Sequence, residues 1–110
     1  MTDADMREPT FLLLTALASG PKHGYGLLQE IEKISGGRLR LRAGTLYGAL
    51  DRLLADGLIG EAGEEIVEGR LRRYYELSGE GEQALSLEVQ RLQANVRVAA
   101  RRLKARGVTA

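Results

Sequence analysis

Three arginines alternate with two leucines in the segment Arg38-Leu39-Arg40-Leu41-Arg42. Side chains of an extended chain point alternately to opposite sides, so this order places three guanidinium groups on one side and two leucines on the other. Contacts from arginine to phosphate fix the position of a protein on nucleic acid without reading the base sequence. The segment therefore indicates a phosphate-binding strip, and the alternative interpretation is a solvated basic loop.

A helix is predicted directly after the strip, from Ala43 to Asp56, because leucines recur there at helical spacing. Arg52 on its outer face is the one side chain well suited to a guanine edge, although its neighbour Asp51 repels phosphate. Gly44 and Gly48 on the same face each cost about 1 kcal/mol relative to alanine. Either these glycines allow the helix backbone to approach DNA closely, or the two residues of low helix propensity are simply tolerated.

Two helices are predicted upstream, over 9–18 and 24–35, with Gly36-Gly37 ending the second. The first is apolar around most of its circumference, which is typical of a buried helix. A loop of about seven residues then leads into the helix 43–56, as in the longer variants of the helix-turn-helix. A plain three-helix bundle is the alternative.

The apolar period changes to strand-like alternation after Gly57. We predict a strand beginning at Leu58-Ile59, a polar hairpin tip over 63–70 with turn chemistry at Glu68-Gly69, and a return strand in which Tyr75 and Leu77 face the core. This hairpin would form the wing of a winged helix, with arginines able to contact phosphate or a narrow minor groove: Arg70, Arg72 and Arg73. Glu64, Glu65 and Glu68 would repel DNA, so only the far end of the tip is expected to touch it.

The last helix is predicted from Ser78, a good N-cap, to about Arg106. Its length of ~42 Å at 1.5 Å per residue exceeds what so small a domain covers. Its apolar residues are spaced 4, 3, 4, 3, 4, a heptad rhythm that favours pairing with a second copy over packing on its own domain: Leu85, Val89, Leu92, Val96, Ala99 and Leu103. The basic charges over 97–106 suit a helix C-terminus, and we do not assign them to DNA.

Composition excludes several functions. A length of 110 residues is that of a single small domain. The net charge is only +1, but the charges are unevenly distributed, with acidic residues such as Asp3 and Asp5 near the N-terminus. There is no cysteine and one histidine, His23, which is expected to cap the second helix or pack near Tyr25. The acidic residues are interpreted as solvated helix faces. We therefore predict no enzyme, metal or cofactor, no membrane segment, and a cytoplasmic location.

Several motifs together resemble the PadR family of transcriptional regulators, and they occur in the family's order across residues 11–85. They are Gly20-Pro21-Lys22-His23-Gly24-Tyr25, Gly44-Thr45-Leu46-Tyr47-Gly48-Ala49-Leu50, Asp56-Gly57-Leu58-Ile59, and Arg72-Arg73-Tyr74-Tyr75-Glu76-Leu77 followed by Gly81. The single C-terminal helix resembles the compact branch of the family.

The resemblance implies a winged-helix homodimer that binds a roughly palindromic operator and usually represses. It also implies that Tyr25, Thr45 and Tyr47 lie at or near the DNA backbone. Many members have serine-proline where this chain has Arg42-Ala43. Some compact members bind flat aromatic drugs with a tryptophan, a residue that this chain lacks.

The predicted architecture is mainly α with a small β-hairpin: a winged helix-turn-helix domain over 1–77 and a dimerisation helix over 78–110. The predicted function is a DNA-binding regulator, a repressor that acts as a homodimer on double-stranded operator DNA. Release by a small-molecule effector is compatible with the sequence. The alternative is a winged-helix module that binds another protein and no DNA; the arginines at 38–42 and 70–73 favour DNA.

Overall fold

The computed structural model describes residues 6–110; Asp3 and Asp5, and with them the first five residues of the predicted domain 1–77, lie outside the described part. Within it the predicted winged helix-turn-helix with a long C-terminal helix is confirmed. The elements are α1 (Glu8–Ala18), β1 (Lys22–His23), α2 (Gly24–Ile34), α3 (Ala43–Ala55), β2 (Ile59–Val67), β3 (Arg70–Leu77) and α4 (Gly79–Ala105).

The core is built around α1, which is apolar on nearly every side. Its leucines Leu13 and Leu14 are fully buried in one cluster with Leu27 and Ile31 of α2 and Leu50 of α3. Burying a leucine side chain contributes about 1.5–3 kcal/mol. α2 packs on both α1 and α3, so the shared core holds the three helices together and leaves the outer faces of α2 and α3 exposed.

The three strands form one antiparallel sheet in the order β1-β3-β2. The two residues of β1, which the sequence did not predict, pair with Tyr75 and Tyr74 of β3. The predicted hairpin tip over 63–70 is wrong: β2 continues to Val67, and only Glu68 and Gly69 form the turn. Both have positive φ, 51° and 78°, as a type I′ hairpin turn requires.

The first turns of α4 belong structurally to the winged domain. The Ser78 hydroxyl donates to the Gly57 carbonyl at 2.7 Å and accepts the Gly81 N–H at 2.9 Å. Leu85, one turn further on, packs against the domain core. Only the later part of α4 extends away from the domain.

Glu88 on α4 corrects the expectation that every acidic residue is solvated, since only 7% of it is exposed. Its carboxylate accepts hydrogen bonds from the Arg91 guanidinium, at 3.1 Å from Nε and 2.5 Å from Nη2. The Arg91 hydrogen bond lowers the pKa of Glu88, and a hydrogen bond from the Met6 backbone adds to the effect. Glu88 thus links α4 to the segment that leads into α1.

Candidate nucleic-acid interface

The strip 38–42 has the two-sided arrangement that its sequence predicted. Leu39 and Leu41 pack against the core, whereas the three arginines are exposed. The Leu39 N–H also donates to the Ser35 hydroxyl at 2.9 Å, which ties the loop to the end of α2. The two leucines therefore anchor the loop and hold the guanidinium groups outward.

The three arginines of the strip differ in their partners. Arg38 forms a two-bond ion pair with Glu8 in the first turn of α1, with 3.0 Å between Nη1 and Oε1. This pair raises the pKa of Arg38 and lowers that of Glu8. Arg40 Nε lies 3.3 Å from a carboxylate oxygen of Glu32. Within residues 6–110, no carboxylate lies within ion-pair distance of Arg42, which precedes α3.

The outer face of α3 presents Thr45, Tyr47 and Arg52 to solvent. Its inner face is buried through Leu46, Ala49, Leu50 and Leu53. A Cβ built on Gly44 would meet nothing within 4 Å, so no contact inside the described domain explains this glycine. The outer face of α3 therefore has small residues such as Gly44 beside its exposed side chains, and no other part of the described domain covers it there.

The N-terminus of α2, the outer face of α3 and the wing enclose a cleft of about 620 Å³. This cleft brings together five of the predicted DNA-binding residues from three elements: Tyr25, Tyr47, Arg70, Arg72 and Arg73. The other five do not line it: Arg38, Arg40, Arg42, Thr45 and Arg52. His23, Gly24 and the wing residue Val67 also line the cleft, and the sequence did not identify them as site residues.

Tyr47 reaches the cleft because Gly24 has no side chain. A Cβ on Gly24 would lie 2.3 Å from the Tyr47 hydroxyl oxygen and 2.8 Å from its Cζ. Tyr25, the next residue, is 65% exposed, and Tyr47 is 46% exposed. The absence of a side chain at Gly24 therefore allows two phenol groups to lie beside the N-terminus of α2.

His23 caps α2, as one of its two predicted roles required. Its Nδ1 accepts the Gly26 N–H at 3.2 Å, and its ring contacts Tyr74 edge-on at 5.4 Å between centroids. Burial, and then the charge of Arg72, lower the pKa of His23. The neutral His23 ring therefore stabilises the fold fully at a pH above its unfolded-state pKa, near 6.5. This stabilisation is lost as the pH falls through the lower pKa that His23 has in the folded state.

The wing arginines lie opposite the glutamates that were expected to repel DNA. In the β2–β3 register, Glu64 pairs with Arg73 and Glu65 with Arg72. The Arg73 Nε to Glu64 Oε2 distance is 3.2 Å, and the Arg72 Nη1 to Glu65 Oε1 distance is 4.0 Å. Arg70, beside the turn, has no such partner in the described part of the chain. Arg70 is therefore a wing arginine without an ion pair, and it lies at the tip.

The apolar stripe of α4 is only partly covered by its own domain. Val89, Leu92 and Val96 line a groove of about 310 Å³ together with Phe11 of α1. Val96 is 64% exposed and Leu103 is 37% exposed. Leu87 and Val98, which lie outside the predicted stripe, are also exposed apolar residues, at 56% and 39%. These two residues lie on a different side of the helix from the stripe, so exposed apolar residues of α4 are not confined to the heptad pattern.

No group of three or more His, Cys, Asp or Glu side chains in residues 6–110 is placed to hold a metal ion. None of the helices described is long and apolar enough to cross a membrane.

Two protein sequences are similar to parts of this chain. Transcriptional regulator Rv3488 of Mycobacterium tuberculosis is 38% identical over 74 residues, which span 67% of this chain and 65% of that protein. An uncharacterized 37.1 kDa protein in a Streptomyces fradiae transposon is 54% identical over 48 residues, which span 44% of this chain and 13% of that protein. The chain thus spans less than two thirds of either relative.

Solved structures share the fold at lower sequence identity. A PadR family transcription regulator from Clostridium difficile has a TM-score of 0.73 and 24% identity over 88% of this chain and 99% of its own. A transcriptional regulator from Clostridium thermocellum has a TM-score of 0.71 and 23% identity over 84% of this chain and 89% of its own. These likenesses support the winged-helix architecture with its C-terminal helix.

The family itself follows from the sequence of the domain. Residues 13–87 match the model of the transcriptional regulator PadR-like family, a range that runs from α1 into the first turns of α4. The match includes the cleft residues, the strip and the wing. Because this match covers well over half of the chain, the chain belongs to the PadR-like family of transcriptional regulators.

Proposed function

We propose that this protein binds operator DNA as a homodimer and represses transcription, with the cleft and the strip 38–42 facing the phosphate backbone. The observation that carries this proposal is the cleft, in which two exposed tyrosines, one on α2 and one on α3, meet three arginines of β3 beside a helix N-terminus. Backbone N–H groups at a helix N-terminus favour anions. Such a regulator works in the compartment that holds the DNA, in line with the predicted cytoplasmic location.

A structure from the same family supports DNA as the partner. Bacillus subtilis PadR was solved in complex with operator DNA, and it shares the fold at a TM-score of 0.64 and 22% identity over 73% of this chain and 45% of its own. Gly44 and Gly48 on the outer face of α3 would let the backbone of that helix approach the major groove closely. Base reading would then depend on Arg52 and on DNA shape, because Arg52 is the only long cationic side chain on that face.

Substituting Arg42 and Arg70, which have no ion-pair partner among residues 6–110, tests DNA binding. We expect the double variant Arg42→Gln and Arg70→Gln to weaken binding to every DNA sequence alike, because phosphate contacts carry affinity and little sequence information. The plot of log affinity against log salt should become shallower by roughly 0.9 per lost contact. Fluorescence anisotropy titrations at several salt concentrations, on a promoter fragment and on random DNA, measure both quantities.

A matched control removes two positive charges elsewhere. Arg101 and Lys104 lie near the C-terminal end of α4, and both are exposed. The variant Arg101→Gln and Lys104→Gln should retain the wild-type salt slope. Equal slopes for wild type and the Arg42, Arg70 variant would exclude these residues from the DNA backbone contact.

We also propose that α4 pairs with a second copy. The radius of gyration is 16.4 Å, whereas a compact chain of this length has about 13 Å, because the second half of α4 projects from the domain. Exposed apolar surface on such a projection is typical of an interface. Since α4 contains no aromatic residue, a small-molecule effector bound between paired α4 helices would have to be recognised without aromatic stacking from them.

A charge placed in the stripe tests this pairing. We expect Val96→Glu to convert the dimer to monomer, because burying an unpaired carboxylate is costly. Gln90→Glu adds the same charge on the polar side of α4 and should remain dimeric. Sedimentation velocity of both variants, with circular dichroism as the check on folding, measures the outcome. A folded dimer of the Val96 variant would exclude the stripe as the interface.

One observation favours a protein partner as a second candidate. Ile66 and Leu71 are register partners near the wing tip and are 75% and 56% exposed. An apolar pair of this kind suits contact with another protein. Unchanged salt dependence in the Arg42, Arg70 variant, together with weak retention of the wild type on heparin, would favour this alternative.

A further inference from the structure

We infer that Glu65 acts as a built-in competitor of DNA phosphate in the wing. In the free protein its carboxylate holds Arg72 and Tyr74, and a backbone phosphate displaces it when DNA binds. The inference rests on the proposed DNA binding and adds a residue that sets how strongly the wing engages any DNA.

The geometry places one carboxylate against two groups that suit phosphate. Glu65 lies on β2 directly opposite Arg72 of β3. The Tyr74 hydroxyl donates to Glu65 Oε1 at 2.5 Å, and Arg72 Nη1 lies 4.0 Å from the same oxygen. This hydrogen bond raises the pKa of Tyr74. Arginine and tyrosine side chains are both donors to DNA phosphate oxygens, so the two groups that face the Glu65 carboxylate are suited to bind a phosphate in its place.

The same groups connect the wing to the helix end at the cleft. Arg72 is one of the residues that line the cleft. The Tyr74 ring contacts His23, whose Nδ1 caps the N-terminus of α2. A phosphate bound at Arg72 would therefore lie near both that helix end and the exposed Tyr25. The position that Glu65 holds is at the edge of the proposed backbone contact.

The pair is loose enough to be displaced. The Arg72 and Glu65 side chains are 37% and 50% exposed, and exposed ion pairs contribute little to stability because water and salt screen them. The DNA backbone supplies many negative charges at once. Phosphate should thus replace Glu65 at a modest cost, and that cost should lower the affinity for every DNA sequence alike.

The chain offers a matched control for the loss of one negative charge. Glu61 is an exposed glutamate on β2, and it has no ion-pair partner among residues 6–110. Glu65→Gln and Glu61→Gln change the net charge equally, but only the first removes a carboxylate from Arg72. Their difference therefore separates release of Arg72 from a general electrostatic effect.

The experiment is a double-mutant cycle on DNA affinity. Wild type, Glu65→Gln, Glu61→Gln, Arg72→Gln and the Glu65→Gln, Arg72→Gln double variant are titrated with one random-sequence duplex at several salt concentrations. We expect Glu65→Gln to bind about two- to five-fold more tightly than Glu61→Gln, with a steeper salt slope. In the Arg72→Gln background, the gain from Glu65→Gln should shrink to that of Glu61→Gln, because the two residues act on each other.

Two results would overturn the inference while leaving DNA binding intact. One is an equal gain from Glu65→Gln and Glu61→Gln. The other is a gain from Glu65→Gln that persists undiminished without the Arg72 guanidinium. Failure of the wild type to bind any DNA would instead refute the proposed function, and with it the inference. Thermal melting of each variant checks that these exposed positions leave the fold unchanged.

Discussion

Gly81→Ala is expected to destabilise the domain by about 3 kcal/mol, the upper end of the usual cost of overpacking. A Cβ at Gly81 would lie 2.0 Å from the Leu58 carbonyl oxygen and 2.9 Å from a methyl carbon of Leu77. The nearest atom belongs to the backbone, which Ser78 also holds by donating its N–H to the same oxygen. Relief would thus require the first turn of α4 to move off the sheet.

Gly79→Ala is the matched control, since both glycines lie in the first turn of α4. A Cβ at Gly79 would meet nothing within 4 Å, and alanine is the better helix former. At one fixed protein concentration, thermal unfolding should show Gly81→Ala melting on the order of 10 °C or more below wild type. Gly79→Ala should match or exceed wild type. Equal melting of the two variants would mean that α4 does not pack on Leu58 in this way.

Helices α2 and α3 were predictable because their apolar residues recur at a period that matches one buried face. The alternation over 38–42 was equally informative, because Leu39 and Leu41 both pack on the core. The turn residues Glu68-Gly69 were predictable from their types, but the length of the strands was not, since Glu64 and Glu65 lie in an exposed part of the sheet where no apolar alternation is needed. The short strand β1 has only two residues, too few to show a period.

The candidate site was predictable in composition but not in its pairings. The arginines could be identified from sequence, whereas the Arg38–Glu8 pair joins residues 30 positions apart. Cross-strand pairs such as Arg72–Glu65 depend on a register that the turn at Glu68 sets. Two of the three glutamates that were expected to repel DNA, Glu64 and Glu65, are thus paired with arginines by the fold, and the sequence alone could not show this pairing.

The operator spacing should follow from a rigid α4 anchored at Gly81. Ser78 and Gly81 fix the start of α4 on the winged domain, so a paired α4 would hold two winged domains at one separation and one relative orientation. Two recognition helices related by a twofold axis can then enter successive major grooves on one face of the duplex. This requires half-sites about one helical turn apart, roughly 10 base pairs centre to centre, or a multiple of that.

Inserting five base pairs between the half-sites is expected to reduce affinity toward the non-specific level, a loss on the order of a thousand-fold. The insertion turns one half-site to the opposite face of the duplex, where the second domain of a rigid dimer cannot reach it. Inserting ten base pairs restores the face but moves the half-site about 34 Å along the axis, so a rigid dimer should lose that operator as well. Titration of the wild-type protein against all three duplexes at one salt concentration measures the effect. Recovery with ten base pairs would indicate flexible domains, and equal affinity for all three would indicate monomers that bind independently.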